Sequence, residues 1–412
     1  MNPEKIERCF WLLFGGWLIL RSMLLWAQYT GSTDPAMTSE VLKFFSQADI
    51  SAGREYALRG FWFKTVYGIL YALALVALLR FGVFSALWQK AESLAGAGSL
   101  RADLAFIIVF LLIIELLSLP SAIYFGHFRE TAAGFARIDF AGWLLKYAKS
   151  VGLGILFETV VIMLFLSLIR WFPGRWPLIV PVVMGGFGLV VTFLVPVVVT
   201  PLFYNQQPLE QGKFREGLLK MADKAGMSVK EIYVVDESRY SSHTNAYFTG
   251  VGSFRRIVLY DTLIKSHTPD EAALIFAHEA GHWRHNHVAW GLTLGVAGVL
   301  LCCLAWFYLY GWLEPVPWFG LKGIGSAANI PFLMIVVIFL QLFVSPVESQ
   351  ISQFMERQAD RAALELTGLR DVYVNAQIRL SRDNKSDLLP HPLRVFWLYT
   401  HPPAIERIKA AQ

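Results

Sequence analysis

The stretch Glu271–His287, EAALIFAHEAGHWRHNH, decides how the rest of the chain is interpreted. His278 and His282 are four positions apart, so on a helix their imidazoles project from one face about one turn apart. Two imidazoles at this spacing can bind one metal ion, and Glu279 between them can reach a water beside it. This H-E-x-x-H pattern predicts a zinc peptidase helix in which Glu279 is the general base. The alternative is an ordinary amphipathic helix with two surface histidines, because short patterns also arise by chance.

The composition indicates a membrane protein. Hydrophobic residues make up 55% of the 412 residues and charged residues only 16%, well below the roughly 25% of a soluble protein. The net charge of +5 is small for this length, and the basic residues lie near the ends of apolar runs, as membrane topology signals do. We therefore expect a lipid bilayer around the chain and no nucleic-acid partner.

Apolar runs long enough to cross about 30 Å of hydrocarbon recur along the chain. We count seven: Phe10–Ala27, Phe61–Leu87, Leu104–Phe125, Val151–Phe172, Trp176–Leu202, Val288–Tyr310 and Pro331–Val347. The first run could also be a signal peptide, but it is long for one and no small-x-small cleavage site follows it. The predicted fold class is a mainly α-helical, polytopic membrane protein with about seven transmembrane helices.

The spans divide the chain into four predicted parts. Residues 1–203 form a membrane region of five spans, 204–287 a catalytic segment that ends with the motif helix, 288–347 a two-span hairpin, and 348–412 a polar, mostly helical segment. Within the catalytic segment, the pattern predicts a helix and three strands, the last two joined through Gly250 and Gly252. The helix covers Leu209–Ala225, and the strands cover Glu231–Val235, Asn245–Tyr247 and Arg256–Tyr260.

The hairpin crosses the membrane twice, so the polar segments before and after it return to the same side and can share one site. These segments hold most of the lysines and arginines, and the connection 126–150 on that side adds four more. By the positive-inside bias, we expect the catalytic side in the cytoplasm and the N-terminus outside.

A zinc site of this kind needs a third protein ligand, with the fourth position left for water. The C-terminal segment offers Glu356 in QFMERQADRAALEL, and Glu348 is the fallback. Asp360, one turn after Glu356, could accept the free ring N–H of a zinc-bound histidine. The alternative is a solvated helix face, since Glu-x-x-x-Asp is common. We predict one zinc ion per chain, bound by the two motif histidines and Glu356.

Proteolysis also requires the substrate backbone to be held extended beside the metal, and the edge of a β-sheet can do this by adding the substrate as a strand. The candidate edge is His243–Tyr247, HTNAY, with the Asn245 amide and the Ala246 carbonyl facing the peptide. The alternative is a plain turn.

With these motifs the chain resembles the M48 metallopeptidases, and among them the CAAX prenyl protease 1 (Ste24-type) group. The similar segments are REYALRGFWFKTV, ETAAGFARIDF, SSHTNAYFTG, RIVLYDTL, HEAGHWRHNH, ERQAD and YTHPPAIERI. The resemblance implies seven helices around an intramembrane chamber, with a zincin-like catalytic domain that carries a small β-sheet and binds zinc near the cytoplasmic end. It also implies an endopeptidase, which in eukaryotes removes the last three residues of prenylated CAAX proteins.

The resemblance also implies roles for individual residues by position. The implied zinc ligands are His278, His282 and Glu356, the implied base is Glu279, and the implied substrate edge is Asn245 and Ala246. His401 and Arg407 match family positions near the site. His401 is a candidate contact to the transition state, with capping or packing before Pro402 as the alternative, and His243 is a candidate substrate contact with the same alternative. We place His285 and His287 at the entrance of a span and outside the metal site.

The chain is somewhat short, with brief loops and no ER-retrieval ending, which favours a bacterial inner-membrane homologue over one in the endoplasmic reticulum. Bacteria generally lack prenylated CAAX proteins. The expected substrate is therefore a peptide or protein, either one with a prenylated CAAX terminus or a membrane protein under quality control.

Two other classes of protein are alternatives to an enzyme. A catalytically silent chamber protein could bind lipid or peptide, but the intact zinc motif and Glu356 argue against it. A transporter is disfavoured because the charged residues concentrate in the two polar segments.

Overall fold

The computed structural model describes residues 2–227, 229, 231–249 and 256–412. Gly250 and Gly252, the predicted junction between two strands, lie outside these residues. Among the described residues, seven helices are long and apolar enough to cross a membrane, so the predicted polytopic, mainly α-helical fold is confirmed. These helices are Pro3–Thr30, Gln47–Arg80, Leu100–Ala133, Phe140–Trp171, Trp176–Phe203, His287–Leu313 and Ala327–Thr367. The enclosed chamber implied by the resemblance stays a prediction.

We number the helices in chain order. They are α1 Pro3–Thr30, α2 Pro35–Leu42, α3 Gln47–Arg80, α4 Val83–Ala95, α5 Leu100–Ile123, α6 Arg129–Ala133, α7 Phe140–Trp171, α8 Trp176–Leu194, α9 Thr200–Phe203, α10 Lys213–Lys224, α11 Asp261–Ser266, α12 Pro269–Arg284, α13 His287–Leu313, α14 Ile330–Thr367, α15 Arg370–Asp383, α16 Pro392–Leu398 and α17 Ala404–Ala411. The π-helical turns Tyr124–Phe128 and Val195–Val199 join α5 to α6 and α8 to α9, so each pair forms one span.

The predicted boundaries of the second span, Phe61–Leu87, are wrong. Helix α3 begins at Gln47, where Ser46 and Asp49 form a capping box, and it ends at Arg80. Gly82 then adopts a left-handed conformation with φ of 72°, which favours glycine and breaks the helix. The apolar residues after this break belong to the separate helix α4, so hydropathy alone could not place the end of the span.

A four-stranded mixed sheet lies between the fifth and sixth spans in sequence. The strands are β1 Gln206–Pro208, β2 Glu231–Val235, β3 Ala246–Thr249 and β4 Arg256–Tyr260, in the order β1-β2-β4-β3. β2 and β4 pair parallel, and the outer strands β1 and β3 pair antiparallel with their neighbours. The predicted ranges of β2 and β4 agree with the structure, whereas β1 was not predicted and the predicted helix starts later, at Lys213.

Aromatic packing joins the first span to the last. The Phe339 ring of α14 is fully buried and lies 5.8 Å from the ring of Phe10, 5.2 Å from that of Phe14 and 5.4 Å from that of Trp17. Each such ring pair adds roughly 0.5–1.5 kcal/mol beyond the area that it buries. This packing fixes the helix that carries Glu356 against the start of the chain.

Polar contacts gather several parts of the chain at one end of the spans. Gln28, near the end of α1, donates a hydrogen bond of 3.2 Å to Asp387. Asp49, at the start of α3, forms an ion pair of 3.1 Å with Arg382. The C-terminal segment therefore lies at the end of the bundle where the first span finishes and the second begins.

Candidate metal centre and active site

The motif helix α12 has a well-defined start and end. Thr268 and Glu271 form a capping box and Pro269 occupies the first turn, so the free backbone N–H groups there are satisfied or absent. Glu271 also pairs with Arg379 of α15, which ties the start of α12 to the C-terminal segment. The helix ends at Arg284, and Asn286, in a left-handed conformation with φ of 54°, separates it from the sixth span.

A glycine allows α12 and α14 to pack closely. A Cβ atom at Gly281 would lie 2.8 Å from the Ala359 Cα and 2.9 Å from the Ala359 carbonyl oxygen, distances too short for any side chain. Ala277, Ala280 and Ala359 are fully buried at the same interface. Small residues therefore bring the backbone of the motif helix against the helix that carries Glu356.

We expect Gly281→Ala to force these two helices apart. Overpacking of this kind costs about 1–3 kcal/mol, and the displacement separates the histidines from Glu356. The temperature of thermal unfolding and the zinc content of the purified variant should both be lower than in wild type. The matched control is Gly291→Ala in α13, where a Cβ would meet no atom within 4 Å. Equal zinc content in both variants would contradict this role of Gly281.

The structure brings the three predicted ligands together across the hairpin. One donor atom from each of His278, His282 and Glu356 lies within 4.8 Å of the other two. The two histidine Nε2 atoms are 3.2 Å apart, and they lie 3.2 and 3.4 Å from the Glu356 carboxylate oxygens. Donor atoms bound tetrahedrally to zinc at 2.0–2.1 Å lie about 3.3 Å apart, so the donor separations suit this ion.

Asp360 determines which nitrogen of His278 faces the ligand cluster. Its carboxylate lies 2.9 Å from the His278 Nδ1 and, as an acceptor, requires a proton there. In the neutral ring the Nε2 lone pair then points towards Glu356 and His282. Burial lowers the pKa of His278, but hydrogen bonds to Asp360 and Glu356 outweigh it and raise this pKa to about 9. The surroundings thus favour positive charge, which a divalent cation supplies.

Arg407 lies behind Asp360, and its role in binding substrate stays a prediction. Its guanidinium forms two hydrogen bonds to the Asp360 carboxylate, of 2.9 and 2.6 Å. Such a bidentate pair fixes the orientation of the carboxylate. Arg407 therefore holds Asp360 in position for His278, although its side chain also borders a cavity described below.

His287 orients the second histidine ligand, a role that the sequence did not reveal. Its Nδ1 lies 2.8 Å from the His282 Nδ1, and its Nε2 lies 3.0 Å from the Gln358 Oε1. If Gln358 accepts from the His287 Nε2–H, the other ring nitrogen accepts from the His282 Nδ1–H and leaves the His282 Nε2 free for a metal. His287 is buried at the start of the sixth span, the place predicted for it, and it lies outside the three-ligand cluster but contacts one of the ligands.

We expect His287→Ala to weaken zinc binding about 10-fold to 100-fold, the usual effect of losing a group that orients a metal ligand. The measurement is a competition titration of the purified protein against a zinc chelator. His285→Ala is the control, because His285 stacks on His287 but contacts none of the three ligands. An unchanged zinc affinity in His287→Ala would show that other contacts orient His282.

Glu279 has the surroundings of a general base. It lies half-buried between the two histidines, and among the residues that the structure describes its carboxylate has no hydrogen-bond or ion-pair partner. Burial raises its pKa, while the nearby histidine charges lower it. A carboxylate that is free of structural partners is available for proton transfer.

The remaining predicted residues lie around the ligand cluster. Asn245 and Ala246 stand at the start of β3, which is an edge strand, and the Asn245 side chain accepts a hydrogen bond from the Ala246 N–H at 2.9 Å. His401 lies 3.4 Å from Glu356 and remains 56% exposed. Glu348, the fallback ligand, is exposed, binds Gln341 and lies outside the ligand cluster.

A cavity of about 640 Å³ connects the edge strand with the C-terminal segment. Asn245 and His401 both border it, and α15 contributes polar side chains such as Gln377. Because His401 contacts Glu356, the cavity opens beside the ligand cluster. It is large enough to hold several atoms of a peptide substrate.

Comparison with known proteins agrees with this geometry. The model of "Peptidase family M48" matches residues 208–412, and the model of "CAAX prenyl protease N-terminal, five membrane helices" matches residues 27–205. CAAX prenyl protease 1 of Saccharomyces cerevisiae is 29% identical over 84% of this chain and 82% of its own. An uncharacterised metalloprotease of Bacillus subtilis, YhfN, is 29% identical over 74% of this chain and 72% of its own.

A solved structure shares the fold. The crystal structure of S. mikatae Ste24p superposes with a TM-score of 0.83 at 25% identity, and the match covers 97% of this chain and 98% of that one. The two family models together span the membrane region and the catalytic segments. The chain therefore belongs to peptidase family M48, as a membrane metalloprotease similar to CAAX prenyl protease 1.

Proposed function

We propose that the chain is an integral membrane zinc endopeptidase that cleaves substrates close to their C-terminus. The observation that carries the proposal is the ligand cluster of His278, His282 and Glu356, with the unpartnered Glu279 beside it. The donor types and separations fit zinc. A zinc ion held there would supply Lewis-acid activation of water and of the scissile carbonyl.

The residues of the chain then have distinct tasks. Glu279 takes a proton from the attacking water and delivers it to the leaving amine. The edge strand β3, which begins at Ala246 directly after Asn245, holds the substrate backbone extended by adding it as a further strand. His401, exposed and beside Glu356, donates a hydrogen bond to the oxyanion that forms.

The names of several relatives support a substrate class. Proteins named CAAX prenyl protease 1 occur in yeast, and a homologue in Arabidopsis thaliana is 27% identical over 93% of this chain and 92% of its own. We infer that this chain likewise removes a C-terminal peptide from a lipid-modified substrate at the membrane. The cytoplasmic orientation of the catalytic end, and the choice between a bacterial inner membrane and the endoplasmic reticulum, stay predictions.

Mass spectrometry of cleaved peptides tests this function. The purified protein is incubated with a prenylated CAAX peptide, with its unprenylated form, and with an unrelated peptide. The proposal expects loss of the C-terminal tripeptide from the prenylated peptide, at a rate well above that of the other two. Equal cleavage of all three would favour a general quality-control protease, and no cleavage of any would contradict peptidase activity.

A further inference from the structure

The end of the third span, together with the loop that follows it, contacts the catalytic segment directly. We call residues Glu130–Arg137 the strap. The strap reverses at Gly134, whose φ of 81° favours glycine. After the reversal, the Phe135 N–H donates to the Glu130 carbonyl at 2.8 Å, which closes the loop on itself. The strap therefore has a fixed shape of its own.

The strap pairs with the catalytic segment as a short antiparallel bridge. The Arg137 N–H donates to the Tyr240 carbonyl and the Ser242 N–H donates to the Phe135 carbonyl, each at 3.0 Å. Ala136 lies opposite Ser241 between these two bonds. The bridge joins the membrane region to the segment that leads into the edge strand β3.

Side chains strengthen the bridge at His243. The His243 Nε2 lies 2.8 Å from the Glu130 carboxylate, and the Phe135 ring lies 4.5 Å from the imidazole. The hydrogen bond to Glu130 raises the pKa of His243, and burial only partly opposes this effect. The side chains of His243 and Glu130 are 39% and 19% exposed, so their ion pair is partly shielded from water, which strengthens it.

The strap is held from its other side as well. Tyr56 of α3 donates its hydroxyl hydrogen to Glu130 at 3.0 Å, and the Arg129 guanidinium lies 3.8 Å from the centre of the Tyr56 ring. The Lys385 ammonium donates to the Ala133 carbonyl at 3.0 Å. Glu130 thus bridges the second span and His243, so the position of His243 depends on the membrane helices.

We propose that the strap is a positioning element for the substrate edge, and that Glu130 acts through His243 on Asn245 and Ala246. Two residues separate His243 from Ala246, and the His243 carbonyl accepts a hydrogen bond of 2.7 Å from Thr262. His243 is therefore held between the strap and the catalytic segment at the point where the strand begins. This proposal rests on the proposed peptidase function. It adds that the membrane region influences substrate binding through Glu130 and His243.

Kinetics of three variants test this role. Glu130→Gln, His243→Gln and the double variant are compared with wild type on a cleaved CAAX peptide. We expect each single change to lower kcat/KM roughly 10-fold through KM, with kcat within about twofold and zinc content unchanged. The double variant should lose little more than either single one, because both changes break the same contact.

Glu55→Gln is the matched control, since Glu55 lies next to Tyr56 and, within the part of the chain that the structure describes, forms its ion pair with the exposed Arg59. Its KM should equal that of wild type. An unchanged KM in Glu130→Gln, fully additive losses, or a parallel fall in kcat and zinc content would overturn the proposal. Wild-type protein without any cleavage would instead refute the peptidase function, so the two failures are distinguishable.

A disulfide across the bridge tests the strap without removing its contacts. Ala136→Cys and Ser241→Cys are combined after the native Cys9, Cys302 and Cys303 are replaced by alanine. Opposed residues of this kind have Cα atoms about 4.5 Å apart, within reach of a disulfide. We expect the bond to form on oxidation and activity to persist. If the disulfide does not form, or if it abolishes activity and a reductant restores that activity, the proposal that the enzyme works with the strap paired to the catalytic segment is wrong.

Discussion

Glu279→Gln should abolish peptide cleavage while the fold and the zinc content remain as in wild type. The substitution keeps the size of the side chain but removes its ability to accept a proton, and general-base catalysis contributes about 10²-fold to 10⁴-fold. Glu279 has no structural partner among the described residues, so the loss of its charge should not destabilise the helix. The measurements are the cleavage rate, the zinc content and the temperature of unfolding of the purified variant.

The control for this experiment is Glu365→Gln. Glu365 pairs with Arg284 of the motif helix at 3.7 Å, and both side chains are more than half exposed. Its removal changes the local charge by the same amount without touching the ligand cluster. Cleavage at the wild-type rate in Glu279→Gln would mean that the base is another residue, and the mechanism proposed above would be wrong.

Glu356→Ala should remove bound zinc and, with it, all activity. The carboxylate faces both Nε2 atoms and is buried, so its loss leaves two ligands where the site needs three. The measurement is metal analysis of the purified protein after dialysis, together with the cleavage assay. Addition of excess zinc should restore at most a small fraction of the activity.

Glu348→Ala is the discriminating control, because Glu348 lies two turns earlier in α14 and was the other candidate for the third ligand. It is exposed and accepts a hydrogen bond from Gln341, so this variant should keep one zinc ion and full activity. The reverse pattern, with zinc kept in Glu356→Ala and lost in Glu348→Ala, would refute the ligand assignment.

The sequence allowed the fold class and the ligand candidates to be predicted because both leave local patterns. A membrane span needs a long apolar run, and two histidines four positions apart identify a metal-binding helix face. Glu356 followed from the requirement for a third ligand and from the hairpin, which returns the chain to the same side. The spacing of residues and the number of membrane crossings are both visible in the sequence.

The supporting contacts could not be predicted, since they depend on which helix faces come together. Gly281 reads as an ordinary helix glycine until Ala359 is seen against it. His287 belongs to the next helix, and only the break at Asn286 turns its ring towards His282. The strap was visible as a segment similar to the family, but its pairing with Ser241 links residues more than 100 positions apart.

The proposed mechanism depends most directly on the position of one metal ion. Diffraction data collected at the zinc absorption edge from crystals of the zinc-loaded protein would locate it. We predict a single anomalous peak about 2.0–2.2 Å from the Nε2 atoms of His278 and His282 and from a carboxylate oxygen of Glu356. A peak bound elsewhere, or one that contacts the histidines without Glu356, would contradict the account.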